Sequence, residues 1–152
     1  MDLSRLTLAD KIIGATGVLL VIDLLFLPWH DIDLGPLGSV TRSAVESPNG
    51  FWGVLALLLT IAVIAVLVVT RLTETKLPEL PVPLERAIFI GTIAVLALLL
   101  LKLVIETDAL GFGAWLGILL AAGMVYGGFV KSQETPGQTA AGWSPPPPPP
   151  PA

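Results

Sequence analysis

Asp23, Lys102 and Glu106 are the residues whose type and position most suggest chemistry. Asp23 is an acid within a run that is otherwise apolar from Ile12 to Trp29, and Lys102 is a base within a second such run. A charge at the centre of a bilayer costs about 2.5–3.5 kcal/mol on insertion scales, so such residues pair, reach water or move ions. Asp23 precedes Trp29 by six residues and Lys102 precedes Glu106 by four, which sets them ~9 Å and ~6 Å below one boundary. At matching depth an Asp23–Lys102 pair would neutralise both charges and fix the first apolar helix against the third. Glu106, one turn beyond Lys102, would compete for or share that lysine. Two other readings stand beside the pair. In one, Lys102 snorkels while Asp23 is hydrated from outside; in the other, the charges conduct ions or protons.

Other candidates are weaker. His30, Asp31 and Asp33 group three oxygen or imidazole ligands, but they match no defined metal spacing and a solvated acidic loop explains them. The chain has one histidine and no cysteine, and no Ser/His/Asp set, nucleotide loop or metal motif can be assembled. The expectation is a protein without enzyme activity, cofactor or metal.

The elements that position these residues are four apolar stretches, about 12–29, 51–70, 87–105 and 112–130. Each holds about 18 to 20 residues, enough for a helix across a ~30 Å hydrocarbon core. The composition agrees: 54% of residues are hydrophobic and 13% charged, outside the soluble range. In lipid, helices satisfy their own backbone groups. The fold expected is therefore an all-α membrane protein, a four-helix transmembrane bundle running up-down-up-down over residues 1–131. The first stretch is too long for a usual signal-peptide core and lacks a small-x-small cleavage pattern, so it is read as a retained helix.

Basic residues set the orientation. Arg5, Lys11, Arg71, Lys76, Arg86 and Lys131 lie on one side and only Arg42 on the other, which puts both termini in the cytoplasm. Asp31, Asp33, Glu46, Glu106 and Asp108 make the outer side acidic. Trp29, Trp52 and Trp115 fall at outer helix ends, as an interfacial aromatic belt requires. Thr7-Leu8-Ala9-Asp10 fits a capping box ahead of the first helix. Gly35-Pro36-Leu37-Gly38 marks a turn that would close a small hairpin, and Ser47-Pro48-Asn49-Gly50 a turn into the second helix. Pro78, Pro81 and Pro83 stiffen the inner loop.

The last stretch carries two small-x-x-x-small patterns, Gly113/Gly117 and Gly123/Gly127. They allow close backbone approach, either within the bundle or against a second copy. Residues 132–152 are polar, Gly- and Pro-rich and end in Pro145–Pro151. This segment reads as a disordered cytoplasmic tail with polyproline character. Trp143, Pro145, Pro148 and Pro151 are its candidate contacts for a partner with an aromatic-lined groove; the plain reading is a spacer.

Five segments carry a resemblance: Leu8-Ala9-Asp10-Lys11-Ile12, Phe26-Leu27-Pro28-Trp29, Ser47-Pro48-Asn49-Gly50-Phe51-Trp52-Gly53, Leu80-Pro81-Val82-Pro83 and Gly111-Phe112-Gly113-Ala114-Trp115-Leu116-Gly117. Together with the Pro-rich tail they resemble a diffuse group of small four-helix actinobacterial integral membrane proteins. The resemblance implies a bacterial plasma membrane and brings no activity with it; Asp23 and Lys102 are outside its pattern. The leading expectation is a non-enzymatic accessory or scaffold protein of the cell envelope. The runner-up is a small transporter or channel subunit using Asp23 and Lys102. Expected partners are the lipid bilayer, a membrane protein or a second copy, and a cytoplasmic partner of the tail. The absence of a basic run argues against nucleic acid.

Overall fold

The structure is a computed structural model that describes residues 3–46, 49–73, 81–134 and 147–151. It is mostly helical. Four helices, α1 (Leu8–Phe26), α2 (Gly50–Leu72), α3 (Leu84–Ile105) and α4 (Phe112–Ser132), enclose one core. A two-stranded antiparallel hairpin, β1 (His30–Asp33) and β2 (Ser39–Arg42), pairs His30 with Arg42 through to Asp33 with Ser39. Lys76, Pro78, Trp143, Pro145 and the Ser47-Pro48 half of the turn into α2 lie outside the described residues.

Three helices, α2, α3 and α4, are long and apolar enough to cross a membrane. Only 28% of the most apolar stretch of α2, and of α3, is buried within the bundle. The rest of that surface is apolar side chains facing outward, as in a protein solvated by lipid. Helix α1 carries three charged residues, Asp10, Lys11 and Asp23, within its 19 residues. The hydroxyls inside the helices are satisfied locally. Thr16, Thr60, Thr70 and Thr92 donate to carbonyls one turn back, at 2.6–2.7 Å.

Local sequence explains where α1 begins and ends. The Thr7 hydroxyl accepts from the Asp10 backbone N–H at 3.2 Å, and the Asp10 carboxylate accepts from the Thr7 N–H at 3.1 Å. At the other end Pro28 disfavours helical backbone at Leu27, which is extended at φ −86°, ψ 150°. The helix therefore stops at Phe26, three residues before the expected boundary, and Trp29 lies beyond the helix rather than on it.

The core is a repeating seam. Helix α1 buries Ile13, Gly17, Leu20 and Leu24; α2 buries Ala56, Thr60, Val63 and Leu67; α3 buries Ile88, Thr92, Val95 and Leu99. Each set follows i, i+4, i+7, i+11, the spacing of side chains that interdigitate between nearly parallel helix axes. The second position is small or hydroxylic in all three. In α4 the buried set is Ala114, Gly117, Ala121, Met124 and Gly128.

Each helix touches two others. Helix α4 packs on α1 and α3, and α2 packs on α1 and α3, which leaves α1 and α3 on a diagonal. The α1–α4 seam is antiparallel: Gly113 faces Leu27, Gly117 faces Asp23, Gly123 faces Thr16, and Gly127 faces Ile12 and Ile13. Three of the four glycines expected to mediate packing, Gly117, Gly123 and Gly127, thus approach one helix, α1, and Gly113 meets the chain just beyond its end.

Candidate functional site

Polar side chains gather at three places, one at each end of the bundle and one along the α1–α4 seam. The cluster beside the hairpin is held by backbone first. The N–H of Trp29 donates to the Arg42 carbonyl at 2.8 Å and that of Asp31 to the Ala109 carbonyl at 2.7 Å. The Gly111 N–H donates to the Trp29 carbonyl at 2.8 Å. The α3–α4 turn therefore lies against β1, and His30 bridges Leu110. Ala109, at φ +58°, takes the left-handed conformation this tight turn requires.

Into this frame α3 projects Lys102 and Glu106 from successive turns. Lys102 is buried and its Nζ lies 3.5 Å from Glu106 Oε2. It also donates to the Asn49 carbonyl at 3.2 Å. Asn49, left-handed at φ +52° ahead of α2, returns its side-chain N–H to Glu106 Oε1 at 2.8 Å. His30 Nε2 stands 3.0 Å from Glu106 Oε2. That approach lacks hydrogen-bond alignment, and neither atom has a hydrogen-bond partner among the described residues. Burial, then the Lys102 charge, lower the His30 pKa below its ordinary value, and Glu106 opposes them only in part. The imidazole is accordingly neutral at pH 7. A cleft of about 380 Å³, lined by His30, Asn49, Glu106, Asp108 and apolar neighbours, opens beside the group.

The expected Asp23–Lys102 pair is not what the structure forms. Asp23 accepts from the Trp29 indole N–H at 2.8 Å, and both residues are buried. Matching depth was not enough, because α1 and α3 are diagonal and the Asp23 side chain meets α4. Glu106 does share Lys102, as the i, i+4 spacing implied. Trp29 is likewise corrected as an interfacial residue: it is fully buried, and its ring lies over Gly117. A β-carbon at Gly117 would overlap that ring and lie 2.5 Å from the Asp23 carboxylate. Trp115 is exposed and Trp52 half-buried, stacked edge-on with Phe51 at 5.3 Å.

His30, Asp31 and Asp33 do not converge. His30 is buried while Asp31 and Asp33 are exposed, and Asp33 Oδ1 accepts from the Gly35 N–H at 2.8 Å. Among the described residues no group of three potential ligands could hold a metal ion. In the tail, Pro148 and Pro151 are exposed.

The cluster at the opposite end was missed by sequence reasoning. Buried Asp10 of α1 binds Lys131 of α4 through one carboxylate oxygen and Arg71 of α2 through the other, at 3.2 Å. Glu134 approaches both cations, at 3.8 Å from Arg71 and 3.9 Å from Lys131. The seam itself held the signal. Asp10, Lys102 and Lys131 continue the buried spacing one step past Ile13, Leu99 and Gly128.

Fold and sites together define a helical bundle with three segments fit to cross a membrane and ionic clusters at its ends. Comparison with family models, with curated proteins and with solved structures finds no match.

Proposed function

We propose that the chain is a non-enzymatic accessory or scaffold protein of a bacterial plasma membrane. In this reading it is a four-span, up-down-up-down bundle with both termini in the cytoplasm. One observation carries the proposal: the charges that apolar helices would expose to lipid are engaged inside the molecule. Lys102 is paired with Glu106, Lys131 with Asp10, and Asp23 accepts the Trp29 indole N–H. Charges used in this way hold a bundle together, and the surface left for a partner is apolar. Helix α1 fits as the fourth span because Asp10 lies at its inner end and the next acid, Asp23, is sheltered. The six-to-one bias of basic residues supports the orientation. The partners that fit are lipid, a second membrane protein or copy, and a cytoplasmic protein that binds the Pro-rich tail.

Cross-linking in native membranes tests this. A stoichiometric partner that is lost on deleting residues 132–152 is the expected result. Recovery of the chain alone, with or without the tail, overturns the reading. The second reading, a small transporter or channel subunit, is favoured by Asp23 Oδ1, a buried oxygen with no hydrogen-bond partner among the described residues. It requires charge-dependent flux in reconstituted vesicles that Asp23→Asn abolishes.

A further inference from the structure

The hairpin-side cluster contains the single imidazole of the chain, and the charges around it balance only while it is neutral. His30 is 3% exposed, with its backbone tied to Arg42 on one side and Leu110 on the other. The end of α3 presents the Lys102 ammonium and the Glu106 carboxylate. The following turn brings Asp108 to the same cleft, and β2 sets Arg42 opposite His30 in the register. The start of α2 contributes Asn49, which is uncharged. The nearest titratable group of α1 is Asp23, engaged by Trp29. Those of α4, Tyr126 and Lys131, lie towards its far end.

We propose that His30 is a proton-operated latch: protonating its imidazole loosens the packing of β1, the start of α2 and the end of α3 on one another, by undoing the Asn49–Glu106–Lys102 junction or by freeing β1 from the α3–α4 turn. Glu106 is already divided between Asn49 and Lys102. A second buried cation leaves two outcomes. Glu106 turns to the imidazolium and withdraws from Asn49 and Lys102, or the imidazolium leaves for water and takes β1 with it. The first parts the start of α2 from the end of α3, and the second parts β1 from the α3–α4 turn. The sign follows from the lowered pKa. The closed state binds the proton more weakly than the open one, so the contribution of neutral His30 is complete above the ordinary histidine range. It is lost as the pH falls through the depressed value of the closed state. Each unit of depression multiplies the opening equilibrium in acid about tenfold. The compartment whose acidity is read depends on the membrane orientation proposed above; the titration itself does not.

Because there is one histidine, its ring resonances in the full chain, held in lipid nanodiscs, report a single site. The expected midpoint lies below the ordinary value of about 6.5. The protection of backbone amides in residues 105–111, taken relative to the intrinsic exchange rate at each pH, should fall across that midpoint while protection around Asp10 and Lys131 stays constant. His30→Gln, a neutral residue, should leave protection at 105–111 independent of pH over the same range. A midpoint at or above the ordinary value, a titration without loss of protection, or an acid transition that persists in His30→Gln overturns the latch. Should His30→Gln fail to fold, the wild-type midpoint and exchange still decide.

Discussion

The two ends of the bundle solve the same problem with different chemistry. At the end formed by the start of α1 and the end of α4 two carboxylates, Asp10 and Glu134, face two cations, Lys131 and Arg71, and the Asp10 carboxylate is bound on both oxygens. At the hairpin end a single carboxylate, Glu106, serves an ammonium, an amide and an imidazole. The first arrangement matches two carboxylates with two cations. The second is balanced only while His30 is neutral. The contrast teaches that a buried ionic cluster acts as a fastener when its charges match and as a sensor when one member is an imidazole that can gain a proton.

The comparison can be broken most forcibly at the Asp10–Lys131 end. Asp10→Asn leaves Lys131 buried without its carboxylate, and loss of one partner of a buried pair costs about 3–5 kcal/mol. Unfolding in mixed detergent should show that loss, and a double-mutant cycle with Lys131→Met should recover part of it. The seam joining the ends comes next. Trp29→Phe keeps an aromatic ring but gives up the larger indole and its N–H to Asp23, and loss of that hydrogen bond alone should cost about 1.5–3 kcal/mol in the same assay. Gly117→Ala forces a methyl against the Trp29 ring and the carboxylate, at about 1–3 kcal/mol, and should quench or shift the buried tryptophan emission. The hairpin end should respond least at neutral pH. Asn49→Ala removes one exposed link to Glu106 and should cost about 0.5–1.5 kcal/mol. Lowering the pH should then sharpen the difference. Stability contributed by neutral His30 fades in acid, so Asn49→Ala and wild type converge there.

Much of the architecture was legible from composition alone. The expected stretches 51–70, 87–105 and 112–130 lie within α2, α3 and α4, and the capping box of α1 and the small hairpin could be read from short motifs. The glycines of α4 were legible as a close-packing face, and Lys102 and Glu106 as a helical pair. The partner helix of that glycine face was not legible, nor was the destination of Asp23. In a soluble bundle the apolar stripe marks the interior. Here the lipid-facing positions, such as Leu58, Ile93 and Leu119, are as apolar as Val63 or Leu99. Hydrophobicity therefore no longer separates inside from outside. What separates them is size and hydrogen-bonding capacity, as at Gly17, Thr60, Thr92 and Gly117, a signal carried by few residues.

By itself, then, the sequence determined the helical segments and which of them are apolar enough to cross a membrane. These depend on local hydropathy and chain length, which need no knowledge of neighbours. Only the tertiary structure decided which charges meet. Placing α1 and α3 on a diagonal denied Asp23 to Lys102, gave it to Trp29 beneath the glycines of α4, and brought Asp10 to Lys131 across 121 positions of chain. The physical reason is that a side-chain pair forms between helices that share a seam. Depth in the membrane brings two residues level, but adjacency is settled by packing.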